Sequence, residues 1–387
     1  MNRTRIVVLA PIVLAALLNA CSSADTSTNT VSTEAAGTTN AAATTAAATT
    51  AQPAATTEAA ATTEPAEDPT ASSDTTAAVA GDDATPAIVA AANAFIATLS
   101  DTEKGSGLFE WTDEEQKARW SNLPNGMFQR SGLRWGDLGT DAQNAWLAVM
   151  QATLSEEGYE RVRAEWRADD ELGGSDYGQD NYFVAIIGTP STTDPWQWQW
   201  GGHHVTVNAT IAGTELSLTP SFIGVQPATY TDEGREVRPL GDITDEAVAL
   251  VNSLDTGQQA KAVLGSSYID LVLGPGQDGK TIAPEGLAGA DMTADQQAAL
   301  LALMGEYGNL ANAEDGAKRM ANLVADIDAT YFAWYGPTDT GSDYYFRITG
   351  PTIVIEFSPQ RMGGDPAEHI HGIYRDPTND YGAAITG

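Results

Sequence analysis

The stretch WQWQWGGHHV, residues 196–205, gives the clearest indication of the fold. Its first five residues alternate tryptophan with glutamine, and a period of two places the three tryptophans on one face of a β-strand. Two glycines then interrupt the alternation and permit a bulge or a close backbone approach. The stretch therefore predicts a strand with one buried face, followed by a second strand that begins at the histidine pair, over residues 203–211.

A similar order of elements is predicted twice, in residues 86–235 and in residues 236–387. In each half, segments with helical spacing precede a run of strand-like segments, which indicates the α+β class. The second set follows the first by about 150 residues, so we expect two similar halves, each with helices and then an antiparallel meander, and a possible internal duplication. The strands predicted in the two halves are 182–187, 196–200, 203–211 and 215–223, then 330–335, 344–349, 352–357 and 369–374.

Residues 1–20 predict a signal peptide of the lipoprotein type. The apolar run of residues 6–18 follows Arg3 and Arg5, and its 13 residues are fewer than the ~20 that span a membrane. The run ends in LNAC, residues 18–21, which resembles a bacterial lipobox, where the cysteine is lipidated and becomes the first residue. Because Cys21 is the sole cysteine, no internal disulfide can form. We expect an extracytoplasmic protein whose lipid anchor is its one attachment to the membrane.

The segment after the lipobox predicts a linker rather than a folded domain. Residues 21–85 consist mostly of Ala, Thr, Ser, Pro and acidic residues, which bury too little apolar surface to offset the entropy of ordering. The folded domain is therefore predicted to span residues 86–387. The whole chain has 52 acidic and 19 basic residues, a net charge of −33. This balance argues against a nucleic-acid partner, since basic patches supply most of the affinity for phosphates.

All four histidines of the chain fall in two short clusters. His203 and His204 are adjacent, so on a regular strand they would point to opposite faces. His369 and His371 are two residues apart on a predicted strand, so their side chains leave the same face. Two imidazoles on one face can hold one metal ion. We predict a metal site of His204, His369 and His371, with His203 as a further candidate ligand.

The donor atoms restrict the kind of ion. Neutral imidazole suits Zn, Cu, Ni or Fe, and without a thiolate the remaining ligands must be oxygen atoms. Glu356 lies on the neighbouring predicted strand and Asp376 lies five residues after His371, so either carboxylate is a candidate ligand or a partner that orients a ring. Zinc or copper is the expected cofactor. The alternative is that the histidines satisfy hydrogen bonds within a core.

Other residues suggest a different class of function. Arg347 and Arg375 lie on strands near the second cluster and are candidates to bind an anionic ligand, although pairing with the abundant acids is the simpler role. The module could thus be a non-catalytic binding domain for a sugar or small ligand, a structural envelope protein or a metal-dependent enzyme, and the sequence leaves open whether it catalyses a reaction. A stacking platform for such a ligand would use Trp196, Trp198 and Trp200, although alternating aromatic residues more often pack in a core.

Three motifs resemble those of a bacterial family known as domain of unknown function 3500. They are WQWQWGGHHV at 196–205, YFRITGPT at 345–352 and HIHGIYRD at 369–376, and the resemblance extends from roughly residue 86 to the C-terminus. The family usually has Asn before its His-x-His element and Trp before its Arg-Asp pair, where this chain has Glu368 and Tyr374. The resemblance implies no particular activity, because none is assigned to the family.

Overall fold

The computed structural model describes residues 83–339, 341, 343–362 and 364–387. The predicted signal peptide, Cys21 and nearly all of the predicted linker lie outside the described residues. Among those described, no helix has the length and apolar character needed to cross a membrane. The helices are α1 Thr85–Thr98, α2 Asp101–Gly107, α3 Glu114–Lys117, α4 Thr140–Thr153, α5 Glu156–Ala168, α6 Gly241–Ser253, α7 Thr256–Ala262, α8 Ala294–Gly308 and α9 Ala313–Ala325.

The strands form one large mixed sheet and one small hairpin. They are β1 Leu108–Phe109, β2 Leu133–Arg134, β3 Phe183–Ile187, β4 Trp196–Gly201, β5 Thr206–Ala212, β6 Glu215–Ser217, β7 Ser221–Val225, β8 Tyr230–Asp232, β9 Arg235–Val237, β10 Val263–Gly265, β11 Leu287–Ala288, β12 Tyr331–Tyr335, β13 Tyr345–Thr349, β14 Val354–Pro359 and β15 Ile370–Arg375. The large sheet has the order β1-β3-β4-β5-β7-β15-β14-β13-β12-β10, with β2, β6 and β11 beside β3, β5 and β12, and β8 pairs with β9. Helices with a largely antiparallel sheet confirm the predicted α+β class.

The order of elements recurs on the two sides of the β7–β15 pair. The first side contains α1, α2, β1, β2, α4, α5, β3, β4, β5 and β7, and the second contains α6, α7, β10, β11, α8, α9, β12, β13, β14 and β15. β7 and β15 are antiparallel neighbours at the middle of the sheet. The pairings of β7 with β5 and with β15 bring the ends of these three strands together. An internal duplication of the two halves stays a prediction.

Both faces of the sheet are buried at β4. The three tryptophans of this strand are fully buried, and the ring of Trp146 from α4 packs against two of them. On the opposite face, the side chain of Gln199 accepts a hydrogen bond from Gln116 of α3 and donates one to Asn208 of β5. The prediction of a single buried face is therefore wrong. Both faces are buried, because α3 and the irregular chain around it cover the glutamine side.

Helix α5 places an acidic residue beside the turn that follows β4. Its N-cap is Ser155, whose hydroxyl accepts a hydrogen bond of 2.9 Å from the N–H of Gly158, and two glutamates follow in the first turn. Both features stabilise the start of a helix. From this start the helix runs to Ala168, and Asp169 follows in the short 3-10 helix that continues it.

Candidate metal centre

His203 and His204 lie in the turn between β4 and β5, and not on a strand as predicted. The backbone N–H of Gly202 closes this turn through a hydrogen bond of 3.0 Å. Residue 202 has to be glycine, because a Cβ atom there would lie 2.5 Å from the ring of Tyr182. The Tyr182 hydroxyl in turn accepts a hydrogen bond of 3.3 Å from the N–H of His204. The tight turn lets the two adjacent imidazoles lie against each other, with ring centroids 3.7 Å apart.

The order of the strands brings the second cluster, His369 and His371, close to His204. His369 directly precedes β15, and His371 lies within β15 opposite Gly224 of β7. β7 also pairs with β5, which begins just after the histidine turn. Gly224 keeps the strand and the turn close, since a Cβ atom there would lie 2.9 Å from the carbonyl oxygen of His204. His204 and His369 meet in this way although 165 residues separate them in sequence.

Three imidazole nitrogens converge at this point. The Nε2 atom of His369 lies 3.0 Å from Nε2 of His204 and 3.0 Å from Nε2 of His371. All three donor atoms lie within 4.8 Å of one another, and the residues are 0, 5 and 8% exposed for His204, His369 and His371. Nitrogen ligands about 2.0–2.1 Å from a tetrahedral zinc ion lie about 3.3–3.4 Å apart. The two spacings that involve His369 are within a few tenths of an ångström of that requirement.

The Nδ1 atoms of His369 and His371 face polar groups outside the centre. Nδ1 of His369 donates a hydrogen bond of 2.6 Å to the carbonyl of Met362, which leaves the lone pair on Nε2. The side-chain amide of Asn122 lies 3.3 Å from Nδ1 of His371. The carbonyl of Met362 is an outer partner that fixes His369 in the tautomer with a free lone pair on Nε2. The amide nitrogen of Asn122 donates to Nδ1 of His371, so a metal-binding His371 would require the amide to turn and present its oxygen to Nδ1–H.

Asp169 connects the two adjacent histidines. Its Oδ1 atom accepts a hydrogen bond of 2.7 Å from Nδ1 of His203 and lies 3.4 Å from Nδ1 of His204. These three residues form a second group whose donor atoms lie within 4.8 Å of one another. The distance of 2.7 Å is that of a charge-assisted hydrogen bond. We therefore assign Asp169 as the partner that orients the two rings, and His203 lies outside the three-nitrogen group.

Burial keeps the converging rings neutral. Burial, together with the charge of His203, lowers the pKa of His204 to about 3. Burial lowers the pKa of His371 well below its usual value, and it also lowers that of His369, although the hydrogen bond to a carbonyl opposes this. For Asp169, burial would raise the pKa, but the hydrogen bonds and charges of the two adjacent histidines outweigh it and lower the pKa. Neutral imidazoles beside an ionised carboxylate are the form that binds metal ions.

The two carboxylates predicted as ligands are placed elsewhere. Glu356 accepts hydrogen bonds of 2.8 and 2.7 Å from two backbone N–H groups and one of 2.6 Å from the Tyr345 hydroxyl. Asp376 follows the end of β15 farthest from His371 and pairs with Arg319 at 2.9 Å. Neither belongs to a group of described residues that could hold an ion. The structure does not bring either carboxylate into the group of three imidazoles, because each is already satisfied by other partners.

The residues predicted to bind a ligand are also buried or paired. Arg347 pairs with Glu285, and Arg375 pairs with Asp278 at 3.0 Å and with Asp380 at 2.7 Å. Their charges are thus neutralised within the fold, as the simpler interpretation expected. An exposed stacking platform is not formed by Trp196, Trp198 and Trp200. Their side chains are 0% exposed, because helices cover the rings.

Asp169, Asn122 and the carbonyl of Met362 were not predicted from the sequence. Asp169 had a detectable signal, because it extends the buried stripe of α5 that includes Val162 and Trp166 at helical spacing. An acidic residue that continues an apolar stripe must find a buried partner. Asn122 lies in an irregular segment, and a backbone carbonyl has no sequence signature at all.

Comparisons with curated proteins and with solved structures find no match. A family model described as "Protein of unknown function (DUF3500)" matches residues 82–383. This range contains both histidine clusters and the three motifs on which the resemblance was based. The chain therefore belongs to the DUF3500 family of proteins of unknown function.

Proposed function

We propose that this protein binds one divalent transition-metal ion, zinc or copper, through the Nε2 atoms of His204, His369 and His371. The observation that carries the proposal is the convergence of these three nitrogens at 3.0 Å contacts, with polar groups facing the opposite nitrogen of each ring. The donor set consists of neutral imidazoles, which suit both ions. Asp169, Asn122 and the carbonyl of residue 362 orient the ligands in this proposal.

Hydrogen bonds among the rings account for this arrangement less well. The Nδ1–H of His369 points to a carbonyl, so its Nε2 atom is an acceptor. The Nδ1 atom of His204 lies 3.4 Å from the carboxylate of Asp169 without forming a hydrogen bond to it, and if the ring proton is on this atom, its Nε2 atom is an acceptor too. Two lone pairs would then face each other at 3.0 Å, which is repulsive without a cation between them. A protonated ring would supply the missing hydrogen, but burial lowers the pKa of both rings.

The centre has room in its coordination for a small ligand. Three protein donors with one remaining position are typical of catalytic zinc sites, whereas structural sites have four protein ligands. His369 and His371 keep a small exposed edge, and the ring of Phe222 lies 5.2 Å from that of His371 as an apolar wall. This supports metal-dependent chemistry on a small oxygen ligand such as water.

We further propose that the centre functions outside the cytoplasm, on a chain anchored by lipid at Cys21. Support comes from the sequence of residues 1–21 and from the use of a single cysteine in the whole chain. A centre of imidazoles without thiolates also suits an oxidising compartment, where free thiols are lost to disulfides or higher oxidation states. The acidic composition gives no support for a nucleic-acid partner.

The test is the metal content of the full chain, produced without a histidine tag and measured by mass spectrometry. We expect about one ion per chain in the parent and almost none in the variant His369→Ala/His371→Ala. The matched control is Glu356→Gln, which changes a buried polar residue two positions from Ser358, the cross-strand partner of His371, and should retain the ion. A parent chain that takes up none of Zn, Cu, Ni or Fe, even after incubation with each, would overturn the proposal.

A further inference from the structure

A second group of metal-ligating atoms lies on the other side of the His204 ring. Oδ1 of Asp169 lies 2.7 Å from Nδ1 of His203 and 3.4 Å from Nδ1 of His204, and the three residues offer donor atoms within 4.8 Å of one another. The three-nitrogen group uses the other nitrogen of His204, its Nε2 atom. Among the described residues, His204 is therefore the member that the two groups share.

The Nδ1 atom of His204 is a buried polar atom without a partner. It has no hydrogen-bond partner and forms no hydrogen bond with the carboxylate 3.4 Å away, and His204 is 0% exposed. Buried polar atoms are nearly always paired, so an unpaired one indicates a place for a partner such as an ion. Because this nitrogen faces a carboxylate and a second imidazole nitrogen, a metal ion would satisfy all three atoms at once.

The carboxylate of Asp169 is held in position for such an ion. Its Oδ2 atom accepts a hydrogen bond of 2.8 Å from the N–H of Gly178, which leaves Oδ1 for the two histidines. Donor atoms of a tetrahedral zinc ion lie about 3.3–3.5 Å apart. The distance of 3.4 Å to Nδ1 of His204 fits this value, whereas the hydrogen bond from His203 would lengthen by roughly 0.6 Å when an ion replaces its proton. His203 is 7% exposed, so the group is open to solvent at this ring.

We infer that the protein binds a second divalent transition-metal ion through His203, His204 and Asp169, and that the imidazolate of His204 joins it to the first ion. The inference rests on the metal centre proposed above. The second ion replaces the proton on Nδ1 of His204, which is released to solvent, while the proton of His203 moves from Nδ1 to Nε2. The ring of His204 then carries a negative charge between two cations and reduces their repulsion. Asp169 orients the rings when one ion is bound and becomes a ligand when two are bound.

The second ion should bind more weakly than the first. It has to displace a proton and approach a cation that is already bound, whereas the first ion meets three neutral imidazoles. A further cation lies near the second group, because the guanidinium of Arg130 donates a hydrogen bond of 2.7 Å to the carbonyl of Gly202, directly before His203. The chain should therefore hold about one ion when metal is limiting and a second one only when metal is in excess.

The experiment titrates the metal-free full chain with Cu(II) and, in parallel, with Zn(II), and counts the bound ions by equilibrium dialysis and mass spectrometry. With excess metal, the parent should hold one ion more than His203→Ala, which keeps the three nitrogens of the first centre. Tyr177→Leu is the matched control and should bind as many ions as the parent. It removes the ring that packs against His203 at 4.9 Å but removes no donor atom.

Electron paramagnetic resonance of the Cu(II) forms tests the shared ring. Two Cu(II) ions on one imidazolate couple antiferromagnetically, so the signal of the parent should rise with the first ion and fall to a small fraction of that intensity with the second. His203→Ala should keep the full signal of one copper ion. The spectrum of the parent alone thus tests the inference, whatever the stability of the variants.

The remaining outcomes overturn the inference. Equal numbers of ions in the parent and in His203→Ala would place any additional ion elsewhere, and an equal loss in Tyr177→Leu would assign the effect to packing at the turn. Two copper ions with undiminished signals would mean that no ring joins them. If the parent binds a single ion that His369→Ala/His371→Ala removes, the proposed centre survives and this inference fails. If the parent binds no ion, both fail.

Discussion

The turn at residues 202–205 and the turn at residues 350–353 occupy equivalent places in the order of elements. The first joins β4 to β5, the second joins β13 to β14, and each is closed by a hydrogen bond from the N–H of its first glycine, at 3.0 and 2.8 Å. Each also meets an acidic residue at the end of a helix: Asp169 contacts the first, and Asp326 accepts a hydrogen bond of 3.0 Å from Thr352 in the second. The two turns thus share a backbone frame.

The polar groups at the two turns differ in how they are satisfied. At the second turn, Arg319 donates to the carbonyl of Thr352, the hydroxyl of Tyr374 and the carboxylate of Asp376 at 2.6, 2.8 and 2.9 Å. There the donors have acceptors and the cluster is complete. At the first turn, the Nε2 atoms of three imidazoles converge, and Nδ1 of His204 has no hydrogen-bond partner. A complete cluster stabilises a fold, whereas the converging nitrogens are the arrangement that the proposed ion would join, and this contrast is what separates a structural turn from a candidate site.

The largest expected effect comes from Glu165 of α5, the helix next to the first turn. Glu165 lies ten residues after the N-cap of α5, and the residue at the equivalent position of α9 is Asn322. Glu165 is fully buried, and its Oε2 atom accepts a hydrogen bond of 3.1 Å from the N–H of Gly224. Burial raises the pKa of Glu165 to about 8, although the charge of Arg161 opposes this. The folded chain therefore keeps a proton that the unfolded chain loses from about pH 4.5 upward. The free energy of unfolding should fall as pH rises to about 8, by on the order of 4 kcal/mol.

Glu165→Gln isolates this contribution, because glutamine can still accept the hydrogen bond from Gly224 but carries no ionisable group. Denaturant unfolding of the metal-free chain with chelator present, at about pH 5 and about pH 8.5, gives the free energies for parent and variant. Between the two pH values, the free energy of unfolding of the variant should fall by less than that of the parent, and the difference is the contribution of Glu165. An identical fall in both chains would show that Glu165 ionises at its ordinary pKa in the folded protein.

A smaller effect is expected from breaking the second turn with Arg319→Met. The substitution leaves the carboxylate of Asp376 without its cation in a site where the two side chains are 10 and 16% exposed. Removing one partner of a buried pair costs about 3 kcal/mol, the lower end of its range, because this pair is partly accessible. Metal content should not change. Loss of the ion in this variant, or an unfolding free energy equal to that of the parent, would contradict the contrast between the turns.

The regular elements were predictable because their causes are local. The alternation in β4 depends on a few neighbouring residues, and seven of the eight predicted strands appear with shifted ends, whereas the strand predicted over 215–223 is divided into β6 and β7. The histidine turn was not predictable, since its shape depends on the contact between Gly202 and Tyr182, which adjoin different strands and lie 20 residues apart in sequence. For the same reason the partners of Glu356, which was predicted on the correct strand, were not predictable. They come from the irregular segment at residues 272–273 and from the hydroxyl of Tyr345.

The smallest expected effect compares the acidic residues of the two turns. Asp169→Asn preserves the shape of the side chain but replaces the carboxylate that faces His203 and His204, and loss of such an outer partner typically lowers metal affinity about 10–100-fold. Asp326→Asn makes the same change in charge beside Thr352 and should leave the affinity unchanged, because its contact is with a hydroxyl group.

Competition for zinc with a chromophoric chelator, at one pH and one ionic strength, gives the affinity of each chain. Both substitutions remove one negative charge, so a general electrostatic effect would weaken both variants alike. A loss confined to Asp169→Asn requires the direct contact of Asp169 with the histidine turn, at 2.7 Å from His203 and 3.4 Å from His204. Equal affinities in the two variants would mean that this carboxylate does not orient the ligand. Metal binding at the first turn would then depend only on the strand order, which brings His369 and His371 close to His204.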